Sequence, residues 1–352
     1  MHWDYGDEET YVDKAKYLIY ADTIWEFIEK ENRYMADLGD EMAKDYTHMG
    51  NSRNGEKIIQ KVVEIKGKIY PSNHPKLAYS LNNYSFTLWK CGNYSHAIKN
   101  SQLAIDIISQ YPVEDYYAEY IDYFNIIALS ERLIGSYQES KKHLEFSIEL
   151  LEKFLDRNLK KNILKLSRSY NNLAWVYRSL ESYEKTREYY EKSLEIKERN
   201  LPNNHPSLAL AYVNYTWILV KMKDYESAQK FLQKALDIKK IHFEEDNVTF
   251  CNLYRNYAEL YKETGDLQKA KEYIQKAIDI RINTGSDRHP ILRDFYHILT
   301  EIEEKMGNYH EALKFSELAV DLCESNFPDG HPELGKLKEY YEQIKSKCLD
   351  RQ

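Results

Sequence analysis

Apolar side chains fall along this chain at helical spacing, and short polar turns interrupt them at regular intervals. Six turns align on their last residue: Gly92-Asn93-Tyr94, Gly135-Ser136-Tyr137, Glu181-Ser182-Tyr183, Lys223-Asp224-Tyr225, Gly265-Asp266-Leu267 and Gly307-Asn308-Tyr309, at intervals of 43, 46, 42, 42 and 42 residues. Ten residues past each anchor the side chain is small (Ala104, Ser147, Ser193, Ala235, Ala277, Ala319), as close packing of two helix backbones requires. The next position is aliphatic in every unit (Ile105, Ile148, Leu194, Leu236, Ile278, Val320), and so is the one two further on (Ile107, Leu150, Ile196, Ile238, Ile280, Leu322). This spacing predicts a helix with one buried stripe behind each turn. Ahead of each turn a matching segment carries Leu81, Phe124, Tyr170, Tyr212, Tyr254 or Tyr296. Each unit therefore predicts helix, turn, helix, repeated at a fixed period.

A second mark falls between units. His-Pro pairs stand at His74-Pro75, His205-Pro206, His289-Pro290 and His331-Pro332, with gaps of 131, 84 and 42 residues, close to three, two and one periods. Proline has no amide hydrogen and suits the first turn of a helix, so each pair predicts the start of a first helix. Asn73, Asn203 and Asn204 supply turn-forming residues just before it. Histidines separated by whole repeats are expected to punctuate the fold rather than to share a metal ion.

Composition agrees with long helices: 352 residues hold only 12 Gly and 8 Pro but 32 Tyr. The net charge of −8, spread over interleaved acidic and basic residues, disfavours a general nucleic-acid binder. Cys91, Cys251, Cys323 and Cys348 lie far apart, without metal-ligand spacing or a dense disulfide pattern. The amino terminus is acidic and polar where a signal peptide would need a basic start and an apolar core, and no apolar run approaches bilayer length. A soluble, cytoplasmic protein is expected, without a membrane or nucleic-acid partner; oligomeric state stays open. No phosphate loop, zinc-spaced His/Glu pair or nucleophile elbow stands in the chain, so no catalytic, metal or cofactor residue is assigned and no enzymatic activity is expected.

The stretch YNNLAWVYRSLESYEKTREYYEKSLEIKERNLPNNHPSLA, Tyr170 to Ala209, resembles the 42-residue tetratricopeptide repeat of kinesin light chains and their bacterial relatives. The resemblance runs from about Pro71 to Lys347, and Glu56 to Pro75 is similar to the second helix and exit loop of a degenerate leading unit. Segment 121–165 matches least well, with no His-Pro exit and with Ile126 where other units have Asn. The resemblance implies an all-α, right-handed superhelical solenoid of antiparallel helix pairs. Residues 1–50 are expected as an N-terminal helical cap, patterned on Tyr17, Leu18, Trp25, Phe27 and Ile28; 51–75 as the leading second helix; 76–331 as six repeats; and 332–352 as a closing helix.

In such a solenoid the first helices line the concave side. Eleven residues before the anchor stand Asn83, Asn172, Asn214 and Asn256, with Ile126 and Ile298 in the other units. In proteins that resemble this one, Asn at that position often bonds the main chain of an extended peptide, and an amide offers both donor and acceptor for it. The neighbouring Asn171 joins this set. Three residues on come Phe86, Leu129, Trp175, Trp217, Glu259 and Glu301, which puts two indoles mid-groove. Lys90, Arg168, Lys221 and Arg255 make that region basic, whereas Glu259, Glu263, Asp294 and Glu301 make the far end acidic. The expected function is a scaffold or adaptor that binds an extended peptide segment of a partner protein. Two other readings stand beside it: a peptide-controlled bacterial regulator, and the sensor subunit of an effector whose catalytic domain is on another polypeptide. The heptad-rich segment that joins such light chains to a motor is not evident.

Overall fold

The computed structural model describes residues 32–48, 51–154, 160–284, 289–327 and 331–349, together with residues 18, 22 and 25. Among the described residues the regular structure is entirely helical. The chain divides into two compact units, residues 1–181 and 182–352.

The first unit holds α1 (Arg33–His48), α2 (Ser52–Ile69), α3 (Pro75–Lys90), α4 (Tyr94–Ile108), α5 (Val113–Leu133), α6 (Tyr137–Phe154) and α7 (Lys160–Ser179). The second holds α8 (Tyr183–Asn200), α9 (Pro206–Lys221), α10 (Tyr225–His242), a 3-10 turn (Val248–Phe250), α11 (Cys251–Thr264), α12 (Leu267–Asn283), α13 (Ile291–Lys305), α14 (Tyr309–Asn326) and α15 (Pro332–Leu349). Within each unit consecutive helices pack as hairpins: α1 on α2, α3 on α4 and α5 on α6 in the first, α9 on α10, α11 on α12 and α13 on α14 in the second. One hairpin, α1–α2, spans the boundary expected at residue 50. Leu18 is buried on its core of Met35, Ala36, Ile59 and Val62, and Trp25 packs beside it; Tyr17, Phe27 and Ile28 lie outside the described residues.

The turns close the hairpins through one backbone conformation. The first residue of all six triplets has positive φ: Gly92 at 85°, Gly135 at 87°, Glu181 at 55°, Lys223 at 63°, Gly265 at 90° and Gly307 at 82°. In α3 the Asn93 N–H returns to the Leu88 carbonyl at 2.8 Å and that of Gly92 to Trp89 at 3.2 Å. These are the paired bonds that satisfy a helix's last carbonyls when the residue after it is left-handed. Glycine adopts that conformation without a Cβ clash; Glu181 and Lys223 adopt it against one.

The His-Pro pairs start helices by a specific bond. The Nδ1 atoms of His74, His205, His289 and His331 accept the main-chain N–H two residues on, from Lys76, Ser207, Ile291 and Glu333, at 3.1 to 3.2 Å. Each imidazole thus satisfies a donor that the first turn of a helix leaves without an intrahelical partner. One period after His205 there is no histidine, and Asn247 Oδ1 takes the same place, accepting from Thr249 N at 2.9 Å.

The small residues sit where backbones meet. Ala104, Ser147, Ser193, Ala235, Ala277 and Ala319 are all buried. First helices of successive hairpins also touch: α1, α3, α5 and α7 in sequence in the first unit, and α9, α11 and α13 in the second. That row of first helices carries the candidate site in each unit.

Candidate functional site

In the first unit, Asn83 does not stand alone on α3. Its Nδ2 donates to Asp40 Oδ1 at 3.2 Å, and Asp40 is buried in an ion pair with Lys66 at 2.5 Å, joined by Ser80 Oγ at 2.9 Å. Asp37 reaches Lys66 from a second side at 3.0 Å and pairs with Lys76 at 3.1 Å. Burial pushes the Asp40 carboxyl up, against the charge of Lys66. Asp40 lies 43 residues before Asn83, in the same repeat column, so the leading hairpin holds a charged residue where four of the later units hold Asn. Asn83 therefore ties α3 to α1.

Further along the same unit, Asn171 and Asn172 on α7 are buried and Arg168 is half-buried. Trp175 is half-buried, with the guanidinium groups of Arg132 and Arg178 at 5.1 and 4.5 Å from its ring centroid. Lys90 lies 5.5 Å from the Phe86 ring and 5.0 Å from that of Trp89. The first-helix face of this unit thus pairs aromatic rings with cations at distances where the ring quadrupole attracts them.

In the second unit α9 presents Asn214, Trp217 and Lys221. Asn214 and Trp217 are mostly buried, Lys221 is exposed, and its Nζ lies 5.8 Å from the Trp217 ring, on which Tyr183 packs edge-on at 6.2 Å. On α11, Asn256 is 0% exposed. Its Nδ2 donates to the Val213 carbonyl of α9 at 2.5 Å and its Oδ1 accepts from Arg255 Nη2 at 3.0 Å. An amide so engaged braces α11 against α9, and is not on offer to the main chain of a ligand. Arg255, expected on the open face, is itself 6% exposed.

The acidic end expected of this face carries its own counter-charge. Lys262 is buried between Glu259 at 2.8 Å and Glu301 at 2.5 Å, linking α11 to α13. Burial by itself would raise the Glu259 carboxyl, but the charges of Lys262, Lys221 and Arg255 overbalance it and hold it at about 2. Lys262 stays protonated well above the usual lysine range, because the two carboxylates outweigh its desolvation. On α13, Arg293 pairs with Asp294 at 2.8 Å and with Glu333 at 2.9 Å. Glu263 is exposed.

A second column of cations is buried in the second helices, and nothing in the hydrophobic pattern marks it. Lys197, Lys239 and Arg281 stand 42 residues apart in the last turns of α8, α10 and α12, and all three are buried. Lys239 Nζ donates to the Thr249 carbonyl at 2.8 Å, and Lys197 Nζ approaches that of Ser207 at 3.5 Å. Burial lowers the Lys239 ammonium to about 8. The recurrence of a basic residue at one repeat position was the available signal. Among the described residues no group of three or more His, Cys, Asp and Glu is placed to hold a metal ion, and no helix is long and apolar enough to cross a membrane.

Residues 165–241 and 249–325 match the family model described as tetratricopeptide repeat. No curated protein matches the chain in sequence. Among solved structures, the apo form of the quorum sensor NprR from B. thuringiensis is 15% identical, over 90% of this chain and 83% of that one, with a TM-score of 0.65. A Rap protein complexed with competence and sporulation factor is 14% identical over 92% of this chain and 89% of that one, with a TM-score of 0.61. A putative kinesin light chain of Podosopora anserina with nearly identical TPR-like repeats is 19% identical over 62% of this chain and 100% of that one, with a TM-score of 0.49. At these identities the two neighbours of higher TM-score share the fold.

Proposed function

We propose that this chain, whose residues 165–241 and 249–325 match the tetratricopeptide repeat model, is a scaffold that holds an extended segment of a partner protein against its first helices. The observation that carries this reading is the placing of cations over indoles on those helices: Arg132 and Arg178 on Trp175 in the first unit, Lys221 on Trp217 in the second. Tryptophan and arginine concentrate where proteins grip partners, since the indole covers a large area with few rotatable bonds and the guanidinium supplies a planar fork of donors. The helices are held by their own packing, so ordering on the receptor side costs little when a segment binds. Asn256, with its amide engaged, serves this reading by fixing α11 on α9, while the half-buried Trp175 and the exposed Lys221 are offered for contact. The shared fold with a quorum sensor and with a Rap protein complexed with a factor supports extending the reading to short regulatory peptides.

The test is recovery of partners from the native host by the immobilised chain and by two variants. One carries Trp175→Ala with Lys221→Glu; the other carries Lys99→Glu with Lys230→Glu on the exposed faces of second helices α4 and α10. Partners lost from the first variant and retained by the second are expected. Equal recovery by all three chains would reject the first-helix face as the binding surface.

A further inference from the structure

Two buried cations meet one buried thiol at the base of α11. Cys251, the first residue of that helix, is 1% exposed, and its thiol donates to the Ala277 carbonyl of α12 at 3.6 Å. Arg281 stands four residues after Ala277, on the same face of α12, and is 8% exposed. Its charge acts on Cys251; among the described residues it has no ion pair, and its buried Nε donates to nothing. Lys239 of α10 is the second cation. Its Nζ donates to the Thr249 carbonyl, two residues before Cys251, at 2.8 Å, and its charge also acts on the thiol. Burial pushes the Cys251 thiol up, and the two cations pull it back. A buried guanidinium in this state costs stability until an anion answers it. The next hairpin supplies the contrast, because one period on the residue types exchange places: Arg293 stands at the position of Cys251, and Cys323 at that of Arg281. There the guanidinium already has two carboxylates, Asp294 at 2.8 Å and Glu333 at 2.9 Å. Cys91 is exposed, but burial of its sulfur and the charge of Glu56 push its thiol up to about 11.

We propose that Cys251 is a site of oxidation by hydrogen peroxide, and that Arg281 and Lys239 are the seat for the oxyanion this oxidation produces. A cleft of about 380 Å³, lined by Tyr254 of α11 and by Ile280 beside Arg281, borders the pair and admits so small an oxidant. The sulfur, as thiolate, attacks one peroxide oxygen and the O–O bond breaks. The departing hydroxide takes up the proton that the thiol gave up, so that thiol and peroxide become sulfenic acid and water. Sulfur loses two electrons and the peroxide gains them. A second peroxide carries the sulfenic acid to sulfinic acid and another water, and the sulfinic acid releases its proton to solvent. The sulfinate that remains is an anion with two acceptor oxygens, which the planar fork of Arg281 takes as it would a carboxylate. This inference is independent of the peptide-holding reading.

The full chain is treated with hydrogen peroxide, the remaining thiols are capped with N-ethylmaleimide, and sulfinate at each cysteine is followed by mass spectrometry. Cys251 is expected to accumulate sulfinate about tenfold faster than Cys323, which is 0% exposed and so no better shielded by burial than Cys251. Arg281→Met is expected to remove that advantage, and Arg281→Lys to keep most of it. A second measurement needs no oxidant. Cys251→Asp places a carboxylate where the sulfinate would stand, and its Tm is expected to exceed that of Cys251→Asn by about 2 °C or more. The same pair of substitutions made in Arg281→Met is expected to show a smaller difference, which isolates the guanidinium from the gain any acid makes in the first turn of a helix. Equal oxidation of Cys251 and Cys323, or an undiminished Cys251 rate in Arg281→Met, would overturn the assignment of the oxidised thiol. An Asp-over-Asn difference that is absent, or the same with and without Arg281, would overturn the oxyanion seat.

Discussion

His205 accepts the main-chain N–H of Ser207 on its ring Nδ1 at 3.1 Å, and this bond converts a repeat signature into a helix cap. The acceptor exists only on neutral imidazole with its proton on Nε2, since a protonated ring has no lone pair to offer. Replacement by alanine removes the cap and is expected to cost about 1 kcal/mol. Replacement by asparagine is expected to cost little, because Asn247 already performs the same task one period later. Urea unfolding of His205→Ala and His205→Asn measures both.

The same chemistry sets a pH dependence at His289. Burial, assisted by the charge of Arg281, lowers its pKa to about 4 from the ordinary histidine value near 6.5. The unfolded chain then binds a proton that the folded chain refuses, so stability is full above the unfolded value and falls as pH drops from about 6.5 to about 4. In His289→Asn that titration is absent. The variant is expected to lose less Tm than wild type between pH 7 and pH 4; parallel losses would show that the imidazole is not the titrating group.

Glu181 and Lys223 occupy left-handed turn positions that four other units give to glycine. Replacing either by Gly is expected to stabilise the chain by about 0.5–1 kcal/mol, the relief of the Cβ strain less the extra freedom of glycine in the unfolded chain. The reverse change, Gly92→Ala or Gly265→Ala, is expected to cost about 1 kcal/mol. A Cβ at either glycine meets no atom within 4 Å, so the cost is conformational rather than steric crowding. Chemical denaturation of the four single variants checks the signs.

Lys262 holds two carboxylates, and its removal leaves Glu259 nearly buried with Glu301 beside it. Lys262→Met is expected to destabilise by about 3 kcal/mol, the loss typical of breaking a buried pair from one side. Adding Glu259→Gln is expected to recover part of that loss, because a neutral amide no longer needs the ammonium. A double-mutant cycle on these two positions measures the coupling. Independent, additive effects would show that the Lys262–Glu259 pair within α11 carries no coupling energy.

Much of the fold was legible because a repeat multiplies weak signals. One Gly-Asn-Tyr turn says little, whereas six aligned turns locate every hairpin between Tyr94 and Tyr309, and an always-small position such as Ala277 marks where backbones touch. The candidate face was legible only as a set of positions. Asn83 and Asn256 share one column, yet the first bonds the Asp40 carboxylate and the second the Val213 carbonyl. Lys262 could not be told from the many solvated lysines around it.

The order of residues by itself determined the period, the turns, the caps and the helical class, since each depends on side chains within one hairpin's reach. Only the tertiary structure decided which polar groups on the first helices are spent and which are left over. That outcome depends on the residue brought alongside from one period away, at a separation where sequence spacing carries no distance. Val213 meeting Asn256 closes one amide off, and Glu301 meeting Lys262 answers an ammonium from the next first helix.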